Sequence, residues 1–157
     1  MKIITSEAVF KGHPDKICDQ ISDAILDACL KQDKNSRVAL ETLIKNNIIV
    51  LAGEITTNAT VDFKRVALGV LKDLGYDKLD EFKFIVEISK QSSDSALGVD
   101  VDGAGDQGIM YGYASNETHE LMPLPIVLAR RIAIKMDELT RPIRDIFGAD
   151  GKCQVSF

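Results

Sequence analysis

The chain has 157 residues, 45% hydrophobic and 27% charged, enough for one ordinary domain or two small ones with a buried core. Its 19 Lys and Arg against 24 Asp and Glu leave a net charge of −5 with no basic run, which argues against a nucleic-acid partner. No apolar stretch approaches a membrane span and MKIITSEAVF has no signal-peptide layout, so no membrane partner is expected and the expected compartment is cytoplasmic.

Residues 2–5 (KIIT) read as a short strand. A helix follows from about Pro14 to Lys31, with Ile17, Ile21, Ile25 and Ala28 on one face and Pro14 in the first turn, where its missing N–H costs nothing. SRVALETLIK and IIVLAGEIT, separated by Asn46-Asn47, give a hairpin signal. A second helix runs from about Val61 to Leu74 and ends at Gly75. FKFIVEIS, residues 82–89, is a further strand. This order is the split βαβ or ferredoxin-like arrangement, an α+β fold, with the first strand either in the same sheet or in a neighbouring one.

At Lys90 the character changes. Residues 90–108 are polar and rich in Gly, Ser and Asp, the composition of a functional lid or a disordered segment. IMYGYA reads as a strand, residues 124–139 as a third amphipathic helix, and the terminal QVSF as the middle of a strand that lacks its partner. The expected division is a split-βαβ unit over 12–94, a partial second α/β unit from 1–11 plus 117–157, and a gate segment over 95–116. Cys18 and Cys29 share a helix and lie about 16 Å apart, too far to pair, and Cys153 stands alone. All three read as small thiols with no metal spacing.

Several places carry chemistry. With a two-residue turn, Glu41 faces Ala52 and Ala39 faces Glu54, so Glu41 and Glu54 emerge on one sheet face as diagonal neighbours. That face is either solvated or a cation or ammonium site at a subunit interface. GAGDQG, residues 103–108, matches G-x-G-x-x-G, but a polar loop precedes it and a strand-like segment follows, the wrong flanks for a dinucleotide fold. Its glycines fit close approach to a ligand, with Asp106 projecting into the site. GHPDK opens the first helix, whose free N–H groups attract phosphate. His13 and Lys16 add donors there, and Asp15 suits a magnesium ion bridging phosphate oxygens. The alternative is a helix cap with a dipole-complementing carboxylate. His119 reads as an exposed loop residue.

GHPDKICDQISDAILDA, GEITT, KQS, GAGDQGIMYGYASNET, LMPLPI and GKCQVSF occur in the order seen in S-adenosylmethionine synthetases, and the resemblance runs from about Thr5 to Phe157. It implies attack of methionine sulfur on the 5′ carbon of ATP, then hydrolysis of the triphosphate to phosphate and pyrophosphate. It also implies Mg²⁺ and K⁺, and a homodimer or dimer of dimers with active sites between subunits. Carried over by position, His13 contacts the triphosphate, Asp15 binds Mg²⁺ and Lys16 supports the phosphates. Glu41 matches the potassium-site carboxylate, and Glu54 and Gln91 match the methionine-holding residues. Asp106 lies against nucleoside and methionine, and Asp150 and Lys152 reach ATP. Ser93 stands where the family usually has Pro, and the segment before GAGDQG is shorter. Family enzymes are more than twice as long, with three similar domains. The resemblance is therefore to the N-terminal part of the enzyme, and the alternative is a catalytically silent fragment or regulatory module that assembles with a full-length synthetase.

Overall fold

A computed structural model describes residues 3–91 and 108–157. In chain order the elements are β1 (Thr5–Val9), α1 (Pro14–Leu30), β2 (Arg37–Lys45), β3 (Ile48–Thr56), α2 (Phe63–Asp73), β4 (Lys83–Ser89), α3 (Leu124–Thr140) and β5 (Lys152–Ser156). Single 3₁₀ turns sit at Leu79–Glu81 and Arg141–Ile143. The α+β architecture is as read from the sequence, and the first strand takes the second of its two expected placements. Instead of joining the three-stranded sheet β2-β3-β4, β1 pairs antiparallel with β5 in a sheet of two. Its span is also Thr5–Val9 rather than residues 2–5.

The hairpin forms as expected. Asn46 adopts φ +55°, a left-handed value that asparagine tolerates, and closes the turn. Lys45 faces Ile48, Glu41 faces Ala52 and Ala39 faces Glu54. Beside it β4 runs parallel to β3, reached through α2. Asn47 tethers this edge: its carbonyl accepts the Lys83 N–H at 2.7 Å and its side-chain amide donates to the Glu81 carbonyl.

Ile17, Ile21, Ile25 and Cys29 recur every four residues along α1 and are all essentially buried. The stripe thus ends on Cys29, with Ala28 half-buried beside it. Opposite lie Leu40, Ile49, Leu51 and Ile55 from one face of the sheet, with Ala67 and Leu71 from α2 closing the core. The period-four helix and the period-two strands thus bury matching apolar faces. Against the two-stranded sheet α3 packs Val127, Ala129 and Ala133, all buried. Cys18 and Cys153 are half-buried free thiols, and among the described residues no helix is long and apolar enough to cross a membrane.

IMYGYA does not form a strand. Ile109, Met110 and Tyr111 are 80%, 90% and 93% exposed, with no strand paired to them among the described residues. β propensity alone does not make a strand where no partner pairs with it.

Asp33 ties the end of α1 to the segment after β3. Its carboxylate accepts N–H bonds from Asn58 at 2.8 Å and Asn35 at 3.0 Å, and these lower its pKa below the ordinary carboxylate value. A depressed folded-state pKa gives stability that is present above the unfolded value and lost as pH falls through the folded one. Asp33→Asn should therefore flatten the fall of Tm with acidification below about pH 4. Superimposable acid limbs for the two proteins would refute this.

Candidate active site

The GHPDK turn is built from short-range bonds. The His13 N–H donates to the Phe10 carbonyl at 3.1 Å, and the His13 carbonyl accepts the Ile17 N–H, opening α1. His13 is itself the N-cap: its Nδ1 accepts the Asp15 N–H at 3.2 Å. That bond leaves Nε2 available, so the capping and ligand-binding readings of this histidine are compatible. The Gln20 side chain donates to the carbonyls of Lys11 and Lys16, both at 2.8 Å, stitching the turn to the helix. The Asp15 side chain stays 92% exposed, and the Lys16 ammonium pairs with Asp19 at 3.1 Å.

Lys152 arrives from the far end of the sequence. Pairing of β1 with β5 sets Val9 opposite Lys152 and Glu7 opposite Gln154, so Glu7 and Lys152 lie diagonally on one face. Their charged groups meet at 2.8 Å, and the Glu7 hydrogen bond raises the Lys152 pKa, keeping the amine cationic. Glu7, His13, Asp15, Lys16, Arg130 and Lys152 together line a polar cavity of about 480 Å³, with Ala8, Val9 and Ile126 as its apolar wall. Four cationic or proton-bearing groups and a helix N-terminus around one opening suit a polyanion.

A second cavity, of about 190 Å³, lies at the end of the three-stranded sheet and is lined by Arg37, Val38, Ala39, Glu54 and Gln91. Arg37 Nε donates to Gln91 Oε1 at 3.0 Å, and the Gln91 N–H donates to the Thr56 hydroxyl. A carboxylate and a carboxamide here offer partners for an ammonium. The two cavities share no lining residue. Glu41 is exposed on the outer sheet face and Asp150 is exposed just before β5, each outside both cavities. Asp106 and most of the 90–108 segment lie outside the described residues.

The S-adenosylmethionine synthetase N-terminal domain model matches residues 1–93, and the central domain model of the same synthetase matches residues 101–157. The chain belongs to the S-adenosylmethionine synthetase family. It is 49% identical to S-adenosylmethionine synthase 1 of Rhodopseudomonas palustris (strain BisB18), covering 98% of this chain and 43% of that protein. With the S-adenosylmethionine synthase of Mesoplasma florum it shares 47% identity over 89% of this chain and 40% of the relative. Among solved structures, an unusual S-adenosylmethionine synthetase from Campylobacter jejuni superposes with a TM-score of 0.89 at 38% identity, over 99% of this chain and 42% of that one. The chain thus spans less than half the length of the relatives it matches.

Sequence reasoning missed Glu7 and Arg130. Alternation along TSEAV carries the signal for Glu7, but placing the strand at residues 2–5 hid it. Arg130 reads from sequence only as a charge on a helix, and the packing of α3 against β1 brings it to the cavity. His119 is exposed in a turn, as expected.

Proposed function

We propose that this chain carries part of the machinery that makes S-adenosylmethionine from ATP and L-methionine. In that reaction a sulfur lone pair forms the S–C5′ bond, the C5′–O bond breaks, and its electron pair leaves with triphosphate. Water then cleaves the triphosphate to phosphate and pyrophosphate. The observation that carries this reading is the meeting of His13, Lys16 and Lys152 in one cavity from opposite ends of the chain. His13 and Lys152 stabilise charge on the departing triphosphate, where preorganised donors act most strongly. Lys16 supports the phosphates, and Asp150 and Asp106 approach the nucleotide. Glu54 and Gln91 hold the methionine head group, and Asp106 is the further methionine contact in this reading.

Magnesium fits the first cavity. Asp15 is open to it, and this ion binds through one or two carboxylates together with substrate phosphates. Bound there it would neutralise phosphate charge. Among the described residues no group of three or more His, Cys, Asp or Glu is placed to hold a metal, so Asp15 would hold the ion only together with substrate phosphates and water. For potassium, Glu41 supplies a single exposed carboxylate on the sheet face.

The likeness to the synthetases implies that a complete site draws on two copies, as a homodimer or dimer of dimers. The outer face of the three-stranded sheet suits such pairing, with Leu43, Ile48 and Ile85 exposed beside small Ala39 and Ala52. The proposed organisation is a unit over 12–94, a second from 1–11 plus 117–157, and a gate over 95–116, acting in the cytoplasm. A second reading is a catalytically silent fragment or regulatory module that assembles with a full-length synthetase, and it is favoured by Glu41 and Asp150 lying outside both cavities.

The deciding experiment incubates the chain with ATP, methionine, Mg²⁺ and K⁺ and seeks S-adenosylmethionine by mass, with His13→Ala alongside. Product that the variant does not make supports the enzymatic reading. A folded chain that makes none supports the silent fragment or module.

A further inference from the structure

Just beyond the end of α2, Tyr76 meets the GHPDK turn. Tyr76 follows Gly75, the glycine with φ +91° that stops the helix, and its hydroxyl donates to the Gly12 carbonyl at 3.0 Å. The ring is held edge-on against Phe82, centroids 6.1 Å apart, so the hydroxyl has little freedom to leave. Burial is the main cause of its raised pKa, with the Asp150 charge next, so it remains a neutral donor.

On its other side Gly12 abuts the turn that leads into β5. A Cβ on Gly12 would fall 2.4 Å from both the Cβ and the carbonyl oxygen of Ala149, so the two backbones touch. Phe10 continues this contact: its N–H donates to the Gly151 carbonyl at 2.8 Å, and its ring covers Gly151 so closely that a Cβ there would meet it at 2.3 Å. One residue beyond Gly12 stands His13, and one beyond Gly151 stands Lys152. The spacing of these two cavity-lining groups is therefore set by how Gly12 seats on Ala149. Arg144 borders the same junction: its aliphatic stem packs over Gly75 and its guanidinium pairs with the buried Asp137 at 2.6 Å.

We propose that Tyr76 is a positioning residue that locks the GHPDK turn against the 149–151 turn and so fixes His13 relative to Lys152. This rests on the phosphate-binding reading of the cavity, and the geometry has its own readout. Tyr76→Phe deletes one oxygen and keeps the ring on Phe82. Ile49→Val, a mild change in the core, serves as the control for lost stability alone.

Two measurements on the 157-residue chain test the lock: amide hydrogen exchange at His13 and Phe10, and affinity for inorganic tripolyphosphate. Tyr76→Phe should speed exchange at these two amides about tenfold and weaken tripolyphosphate binding about fivefold, a loss of the size of one hydrogen bond. Ile49→Val should lower Tm without selectively changing either. Unchanged exchange in Tyr76→Phe overturns the lock, as does faster exchange spread evenly over the core. Selective acceleration in a chain that binds no tripolyphosphate keeps the lock and removes the phosphate reading. Tight binding unaltered by Tyr76→Phe removes the coupling between them.

Discussion

His13→Ala should lower S-adenosylmethionine formation by about 10²- to 10³-fold in the assembly that turns over, the scale for losing one preorganised donor to developing negative charge. The substitution has a second effect that must be separated from the first. His13 Nδ1 caps α1 by accepting the Asp15 N–H, and losing an N-cap costs about 1 kcal/mol. His13→Asn keeps a capping acceptor and loses the imidazole. The expected pattern is near-native Tm for the asparagine variant with a rate as low as that of alanine. Recovery of rate with asparagine would mean that His13 acts only as a cap, and the catalytic role would be withdrawn.

Gly53→Ala should be the most destabilising small substitution in the described sheet, at about 2–5 kcal/mol by urea unfolding. Gly53 sits in β3 opposite Leu40 with φ +143°, a region that side-chain-bearing residues enter only under strain. An added Cβ would lie 2.1 Å from the Ala39 carbonyl oxygen, inside the partner strand's backbone. Strain and overpacking each cost about 1–3 kcal/mol, and here they act on the same atom. Glu54 is the next residue, so the variant should also weaken any binding of methionine through the second cavity. A loss below about 1 kcal/mol would show that the hairpin shifts freely around this point.

The hairpin was legible because a two-residue turn fixes register by geometry alone, and Glu41 and Glu54 fell on one face as the alternation requires. The α1 stripe was legible for the same reason, since every contributor is local in sequence. Failures came where the deciding contact is remote. KIIT attracted a strand through composition, yet the strand forms at TSEAV because its partner is KCQVS, at the other end of the chain. IMYGYA attracted one too, although no partner strand exists for it among the described residues. Of the candidate site, GHPDK and Lys152 were named from motifs, but their sharing a cavity was not derivable from spacing. Glu7 and Arg130 became visible only once β1 had its true partner and α3 had packed on it.

The pairing of β1 with β5 also sets an order of events during synthesis. Thr5 bonds Ser156 across a separation of 151 residues, whereas α1, β2, β3, α2 and β4 close on contacts far nearer in sequence. A ribosome releases β1 first, yet β1 must wait, an unpaired edge, while the three-stranded block assembles behind it. Because contacts between distant residues form slowly, the two-stranded sheet should be the last element to settle. Glu7 and Lys152 belong to that sheet and His13 does not. The cavity that Glu7, His13 and Lys152 line should therefore take shape only after the three-stranded block has formed.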